Sequence, residues 1–182
     1  SLPKPQQISH LPRFGSVRAE DLLRPDLADH PAVGIPFESA RAYCQWLSKQ
    51  GGGVSYRLLS DLEWEKAARP FPELVFPWGT QFDPAAPKPV AWLHQSGPTP
   101  QPRTAPCGSH PGDRSLSGIL DLGGNASEWV EGEFGGDRRF RVLRGGSWLS
   151  GPEVVRSSSR AAVSERQFTE AATQIGFRVA FD

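Results

Sequence analysis

Apolar residues recur at helical spacing in the stretch FESARAYCQWLSKQ, which begins at residue 37. Steps of three or four residues place these apolar positions on one face of an α-helix. The positions on that face are Phe37, Ala40, Cys44 and Leu47. Pro36 suits the first turn, and the glycines at 51–53 end the helix. The pattern therefore predicts a helix over residues 37–50, with Cys44 as a small core residue.

A second helix is predicted from the stretch SDLEWEKAAR, which begins at residue 60. Ser60 and Glu63 have the spacing of a capping box, in which each side chain bonds the other residue's backbone N–H. Leu62, the aliphatic part of Glu65 or Lys66, and the alanines at 67–68 are expected to form the packing face. Glu63 and Glu65 would point away from each other on a helix, so we interpret them as structural residues rather than an acid–base pair.

After residue 70 the pattern changes to short apolar runs separated by glycine and proline, which is typical of short strands and turns. The sequence therefore predicts a loop-rich α+β fold with two early helices followed by a short, mostly antiparallel sheet. We expect residues 1–30 to be an irregular N-terminal lead-in and residues 31–182 to form one domain.

Composition narrows the classes of function. The 182 residues fit one domain, and the balance of 20 basic and 20 acidic residues gives no electrostatic argument for nucleic acid or an anionic membrane. No apolar run is long enough to span a bilayer. Only two cysteines occur, too few for a disulfide scaffold. Methionine is absent and asparagine occurs once, a shortage of thermolabile residues that suggests a thermophilic source.

Several sequence blocks, taken in order, resemble the formylglycine-generating enzyme, or sulfatase-modifying-factor, family. The blocks are HPAVGIPFESARAYCQWL (30–47), YRLLSDLEWEKAAR (56–69), FPWG (76–79), GILDLGGNASEWV (118–130), RVLRGGSW (141–148) and GFR (176–178). The resemblance implies a variant of the C-type lectin fold over residues 31–182.

The resemblance also bears on catalysis. Formylglycine-generating members oxidise a substrate cysteine with a pair of cysteines, placed just after the GGS block, that bind copper. Here that segment reads WLSGPEVVRSSSR and contains no cysteine. A related branch binds iron through histidines of a separate helical domain, whereas the four histidines of this chain are isolated from one another. We therefore predict a protein that is not an enzyme and binds neither copper nor iron. An enzyme of unknown chemistry, with a polar pocket around Arg144, Ser147, Arg156 and Arg160, is the alternative.

The family resemblance implies one further ion. The loop DLGGNASE resembles the family's structural calcium site, which would use the side chains of Asp121 and Glu128 and the backbone carbonyls of Gly124 and Ala126. The alternative is that Asp121 and Asn125 hold turns.

Within the family, the chain most resembles the variable proteins of diversity-generating retroelements, whose diversified segment runs from an RGGSW-like to a GFR-like block. Residues 141–182 match that layout. The predicted variable, ligand-binding positions are Leu149, Ser150, Gly151, Val154, Val155, Ser159, Ala161, Ala162, Val163, Ser164, Phe168 and Thr169. Leu149, Val154, Val155 and Phe168 are expected to form an exposed apolar patch.

This resemblance implies a display protein whose ligand is a protein or glycan on another cell or particle. The location would then be the cell surface, the secreted fraction or a phage particle. A fixed binding or regulatory module of the same fold is the main alternative, since both would present loops on a rigid frame.

Overall fold

The computed structural model of the protein describes residues 27–82 and 104–182. Most of the predicted lead-in, residues 1–26, lies outside the described residues. The elements are α1 (Phe37–Gln50), β1 (Tyr56–Leu58), α2 (Asp61–Ala68), β2 (Ser127–Phe134), β3 (Asp137–Arg144), β4 (Ala161–Val163), α3 (Glu165–Ala171), a 3-10 turn (Ala172–Gln174), β5 (Ile175–Phe177) and β6 (Val179–Phe181). The predicted α+β class with two early helices is confirmed.

Helix α1 has the predicted bounds. Pro36 precedes its first turn in an extended conformation, and the backbone N–H of Gly51 donates to Ser48 O at its end. Phe37, Ala40 and Cys44 are buried, whereas Leu47 is only half-buried. The core-facing stripe is therefore shorter than predicted.

Helix α2 begins with the predicted capping box. Ser60 Oγ accepts from the Glu63 backbone N–H at 3.3 Å, and the Ser60 N–H donates to Glu63 Oε2 at 2.8 Å. The prediction for its packing face is wrong in part, because Leu62 is 79% exposed. Trp64 and Ala68, four residues apart, form that face instead and are fully buried.

A four-stranded sheet in the order β4-β3-β2-β5 forms the centre of the domain. β2 pairs antiparallel with β3, and β3 with β4, while β5 joins β2 in parallel. Strands β1 and β6 form a separate antiparallel pair. The predicted short, mostly antiparallel sheet is confirmed, and the parallel β5 strand is an addition to it. The short helix α3 was also not predicted.

Both faces of the sheet are covered. Trp129 of β2 and Leu143 of β3 pack on the side of α1, in the largest hydrophobic cluster. Their neighbours Val130 and Val142 point to the opposite side and pack against Trp64 of α2. This double burial fixes strand β3, where the C-terminal segment begins, in the core. Within residues 27–82 and 104–182, no helix is both long and apolar enough to cross a membrane.

Candidate functional site

The C-terminal segment leaves the core at the Arg-Gly-Gly-Ser-Trp block. Gly145 has a φ of +83°, and a Cβ at this position would lie 3.1 Å from both Leu122 O and the Trp64 ring. Only glycine fits such a close, left-handed approach. Two residues beyond the glycine pair, Trp148 is buried and its backbone N–H donates to Asn125 O at 3.0 Å. The block therefore holds the start of the segment tightly to the core.

The far end of the segment is fixed in the same way. Ile175 is 1% exposed, and its carbonyl accepts from the Gly34 N–H at 2.9 Å. A Cβ on Gly176 would lie 2.5 Å from Ala32 O, so a larger residue would push two backbones apart. Ser147 Oγ donates to Gln174 Oε1 at 2.9 Å, which joins the two ends of the segment directly.

Arg144 holds the middle of the segment. Its side chain is 1% exposed, and its Nη1 donates to the backbone carbonyls of Ser157 at 3.2 Å and Ser159 at 2.9 Å. On the other side it donates to Asp61 Oδ1 at 2.5 Å and Glu65 Oε2 at 2.7 Å. Arg144, which belongs to strand β3, thus binds the loop at Ser157 and Ser159 through backbone carbonyls, which every residue type provides.

The structure divides the twelve predicted positions by exposure. Leu149, Val154, Ala161 and Thr169 are exposed, and Ser150, Gly151, Ser159, Ala162 and Ser164 are half-buried. The buried positions are Val155, Val163 and Phe168, at 1%, 9% and 8% exposed. Val154, Ser159 and Ala161 line one shallow hollow of about 30 Å³.

Of the four residues expected to form an exposed apolar patch, two are exposed and two are buried. Leu149 is 53% exposed and Val154 is 37% exposed. Val155 instead packs against Phe76 in a small core cluster. Phe168 packs against Trp129, with ring centroids 5.8 Å apart. Both belong to the core because α3 and the 147–157 turns fold back onto the frame.

Three of the four residues proposed for an alternative enzyme site, Arg144, Ser147 and Arg160, are bonded to other parts of the protein. Arg144 and Ser147 are buried and bonded as described above. Arg160 pairs with Asp61 at 2.5 Å and stacks over Phe134 at 5.4 Å, whereas Arg156 is exposed. In the part of the chain that the structure describes, no group of three His, Cys, Asp or Glu side chains could hold a metal ion.

The loop with the predicted calcium ligands is bound by an arginine. Both oxygens of Glu128 accept from Arg178, at 2.6–2.9 Å, and Glu128 Oε2 also accepts from Trp64 Nε1 at 2.6 Å. Arg178 Nη2 donates to the carbonyls of Leu120 and Asp121, each at 3.1 Å. Burial alone would lower the pKa of the Arg178 guanidinium, but its pairing with Glu128 outweighs this and raises that pKa.

This geometry does not fit the predicted calcium ion. Both oxygens of Glu128 accept from Arg178, and Asp121 Oδ2 accepts from the Gly108 N–H at 2.7 Å. Asp121 Oδ1 is therefore the only oxygen of these two carboxylates that is buried without a hydrogen-bond partner. The cation in contact with Glu128 is a guanidinium, and a calcium ion would have to displace it.

The turn-holding alternative describes the loop better: Asp121 and Asn125 have φ of 58° and 63°, and Asn125 bonds both backbone groups of Ala105. Gly124 and Ala126 are buried beside them.

Sequence reasoning missed one buried carboxylate next to this loop. Asp113 is fully buried, and both of its oxygens accept from the single N–H of Gly123, at 3.0 and 2.9 Å. Burial raises the pKa of Asp113 to about 7.

A cavity of about 430 Å³ lies nearby, lined in part by Cys107 and Asp121. Cys107 is exposed, and partial desolvation together with the Asp121 carboxylate raises the pKa of its thiol, so the reactive thiolate is disfavoured.

Comparison with known proteins places the chain in a family. Residues 14–182 match the sequence pattern of the sulfatase-modifying factor enzyme 1-like domain, which begins before the predicted boundary at residue 31. The inactive C-alpha-formylglycine-generating enzyme 2 of Bos taurus is 33% identical over 84% of this chain and 50% of its own length. The hercynine oxygenase of Mycobacterium tuberculosis is 32% identical over 81% of this chain and 35% of its own length. Relatives thus include both an inactive protein and an oxygenase, and the chain spans half or less of each.

Solved structures share the fold. PvdO from Pseudomonas aeruginosa superposes with a TM-score of 0.66 at 28% identity, covering 85% of this chain and 62% of that one. Treponema denticola variable protein 1 gives a TM-score of 0.49 at 23% identity, over 68% of this chain and 46% of that one, a similarity too low to support an argument. The predicted fold of the formylglycine-generating-enzyme type is confirmed, and the chain belongs to the sulfatase-modifying factor enzyme 1-like family.

Proposed function

We propose that the protein is a non-catalytic ligand-binding protein that presents residues 149–174 on a fixed frame, and that a diversity-generating retroelement diversifies this segment. The observation that carries the proposal is the way Arg144 binds the segment through the carbonyls of Ser157 and Ser159. Side chains on the outer side of such a loop can change without loss of the bonds that hold it.

Further observations support a binding role. The segment 148–160 has no cysteine, whereas the formylglycine-generating members that the chain resembles place their catalytic pair just after the GGS block. A relative at 33% identity is named inactive. Leu149 and Val154 expose apolar surface on two successive turns, where a ligand would reach them. The partner in this proposal is a protein or glycan on another cell or particle, which the protein meets at a cell surface, in the secreted fraction or on a phage.

A fixed binding module is the second candidate, and the buried residues of the segment favour it. Val155, Val163 and Phe168 fill core positions, where substitution at random would lower stability. In the diversified protein these three positions must therefore vary only among apolar residues. In a fixed module the whole segment, including its exposed positions, stays constant.

The display role predicts that exposed side chains contribute little to folding. We expect the combined replacement of Leu149, Val154 and Ala161 by serine to change the free energy of unfolding by less than about 1.5 kcal/mol, because surface substitutions rarely exceed about 0.5 kcal/mol each. Urea unfolding followed by tryptophan fluorescence measures this change. The single replacement Val163→Ser, at a buried position of the same segment, is the control and should cost about 2 kcal/mol. A loss above about 3 kcal/mol in the triple variant would give these residues a structural role and would contradict the proposal.

A further inference from the structure

A cavity of about 290 Å³ opens between the start of α1, strand β3 and helix α3. Three buried aromatic side chains form its inner wall, and three arginines stand at its mouth. We call it the aromatic pocket, defined by Phe37, Trp129, Phe168, Arg138, Arg139 and Arg141. It lies apart from the loop around Asp121 and from the hollow lined by Val154.

The inner wall is apolar and rigid. The rings of Phe37 and Trp129 meet edge to face, with centroids 5.8 Å apart and planes at 80°. The Phe168 ring lies at the same centroid distance from Trp129. The only polar atom of the indole, Trp129 Nε1, donates to Ile35 O at 2.8 Å and is not available to a ligand. Such a wall favours a flat apolar group, which can stack or meet a ring edge.

Three arginines and one acidic residue, Glu38, line the mouth, and each arginine is paired with a carboxylate. The side chains of Arg138 and Arg139 are 90% and 82% exposed and pair with Glu133 and Asp137, which do not line the cavity. Exposed ion pairs of this kind contribute about 0–1 kcal/mol, so the arginines can exchange one carboxylate for another at low cost.

Arg141 is the arginine best placed to bind a ligand. Its guanidinium lies 4.4 Å from the centroid of the Phe37 ring and 3.3 Å from Glu38. Glu38 has a second partner in Arg41, at 3.5 Å, which keeps its charge compensated if Arg141 turns to a ligand. A planar guanidinium beside an aromatic wall matches a carboxylate attached to a ring.

We propose that the aromatic pocket binds an organic acid in which a carboxylate is attached by a short link to a flat apolar ring. The cavity is at the small end of the range of about 300–1,000 Å³ found for ligand pockets, so one ring system fills it. The same chemistry occurs in a free aryl carboxylic acid and at the C-terminus of a peptide that ends in an aromatic residue. Phe37, Trp129 and the three arginines lie outside residues 149–174, whereas Phe168 lies within that segment, so diversification would change one side of the wall and leave the arginines of the mouth in place.

Calorimetric titration of the full chain tests the proposal with matched probes. Indole-3-acetate carries both the ring and the carboxylate, tryptophol has the ring with a hydroxyl instead, and acetate has the charge alone. We expect indole-3-acetate to bind at least about tenfold more tightly than tryptophol, because a charge-assisted hydrogen bond to an arginine contributes about a factor of ten or more. We expect a difference of at least about the same size from acetate, because acetate has no ring to bury against the aromatic wall. Equal binding of tryptophol, or binding of none of the probes, would overturn the proposal.

A peptide arm distinguishes the two sources of the ligand. A hexapeptide that ends in tryptophan is titrated with a free and with an amidated C-terminus. Tighter binding of the free-ended peptide than of indole-3-acetate identifies a peptide terminus as the ligand, and the reverse order identifies a free acid. Either order supports the proposal, provided that the peptide with a free C-terminus binds more tightly than the amidated peptide.

Single variants locate the bound probe. We expect Arg141→Gln to weaken indole-3-acetate binding by about tenfold. Arg139→Gln, at a position too exposed to affect folding, should weaken it severalfold. Arg114→Gln is the matched control, since Arg114 is an exposed arginine that does not line the cavity, and it should bind as the unchanged protein does. Unchanged binding by both pocket variants, with unfolding midpoints as in the unchanged protein, would place the ligand elsewhere and refute the inference.

Discussion

Replacement of Arg144 by methionine is expected to lower the free energy of unfolding by about 3 kcal/mol. The carbonyls of Ser157 and Ser159 would lose their donor, and a buried polar group without a partner costs about 1–3 kcal/mol. The variant would also lose the contact of the guanidinium with the Trp64 ring, 5.5 Å from its centroid.

The acidic partners of Arg144 keep the loss near the lower end of the range for a broken buried ion pair. Asp61 is still paired with Arg160, and Glu65 with Arg69, so neither carboxylate becomes isolated. Urea unfolding at constant m-value measures the change. Arg139→Met, which breaks an exposed pair with Asp137, is the matched control and should cost less than about 1 kcal/mol. Equal effects of the two changes would mean that Arg144 does not hold the segment.

The second large effect is expected at Val155, whose replacement by aspartate should cost about 4 kcal/mol or more. Val155 is 1% exposed and packs against Phe76, so an aspartate there would place a carboxylate among apolar side chains. Val154→Asp is the control, because Val154 is 37% exposed and its change should stay within about 0.5 kcal/mol.

The loss of native structure on urea or heat reports the difference between these neighbours. Val154 and Val155 are neighbours in the sequence, yet only the aspartate at position 155 is expected to lower stability strongly. The reason is the turn, which directs the side chain of Val155 into the core. Similar losses in both variants would show that the turn at residues 151–155 is not formed as described.

Local features of the fold could be predicted from the sequence because they depend on residues three or four positions apart. The stripe from Phe37 to Cys44 and the capping box of Ser60 and Glu63 belong to this class. The error at Leu62 has a local cause as well: an eight-residue helix has one narrow buried stripe, and Trp64 occupies it.

Features that join residues far apart in the sequence could not be predicted from local spacing. The parallel pairing of β5 with β2 joins residues about 50 positions apart, as does the pair formed by Arg178 and Glu128. Helix α3 has seven residues with one buried aromatic, too short for its period to be recognised. The aromatic pocket likewise combines α1, β2, β3 and α3, which only the folded chain brings together.

The family resemblance identified the C-terminal segment but could not assign exposure within it. Neighbouring positions such as Val154 and Val155 differ in burial because of a single tight turn, in which the N–H groups of both residues donate to Gly151 O. The calcium prediction depended on oxygen-bearing residues within one loop, and it took no account of Arg178, which the fold brings to that loop from the C-terminus. Neither the burial of Val155 nor the position of Arg178 beside the loop can be predicted from composition alone.

Deep sequencing of the 3′ end of the gene in a growing population is the most direct test of the display function. We expect codons to vary at the exposed positions Leu149, Val154, Ala161 and Thr169. We expect variation at Val155, Val163 and Phe168 to stay among apolar residues, and the framework positions Gly145, Gly146, Trp148 and Gly176 to remain fixed. A uniform segment throughout the population, with no near-copy of its sequence close to the gene, would contradict diversification and would leave a fixed binding module.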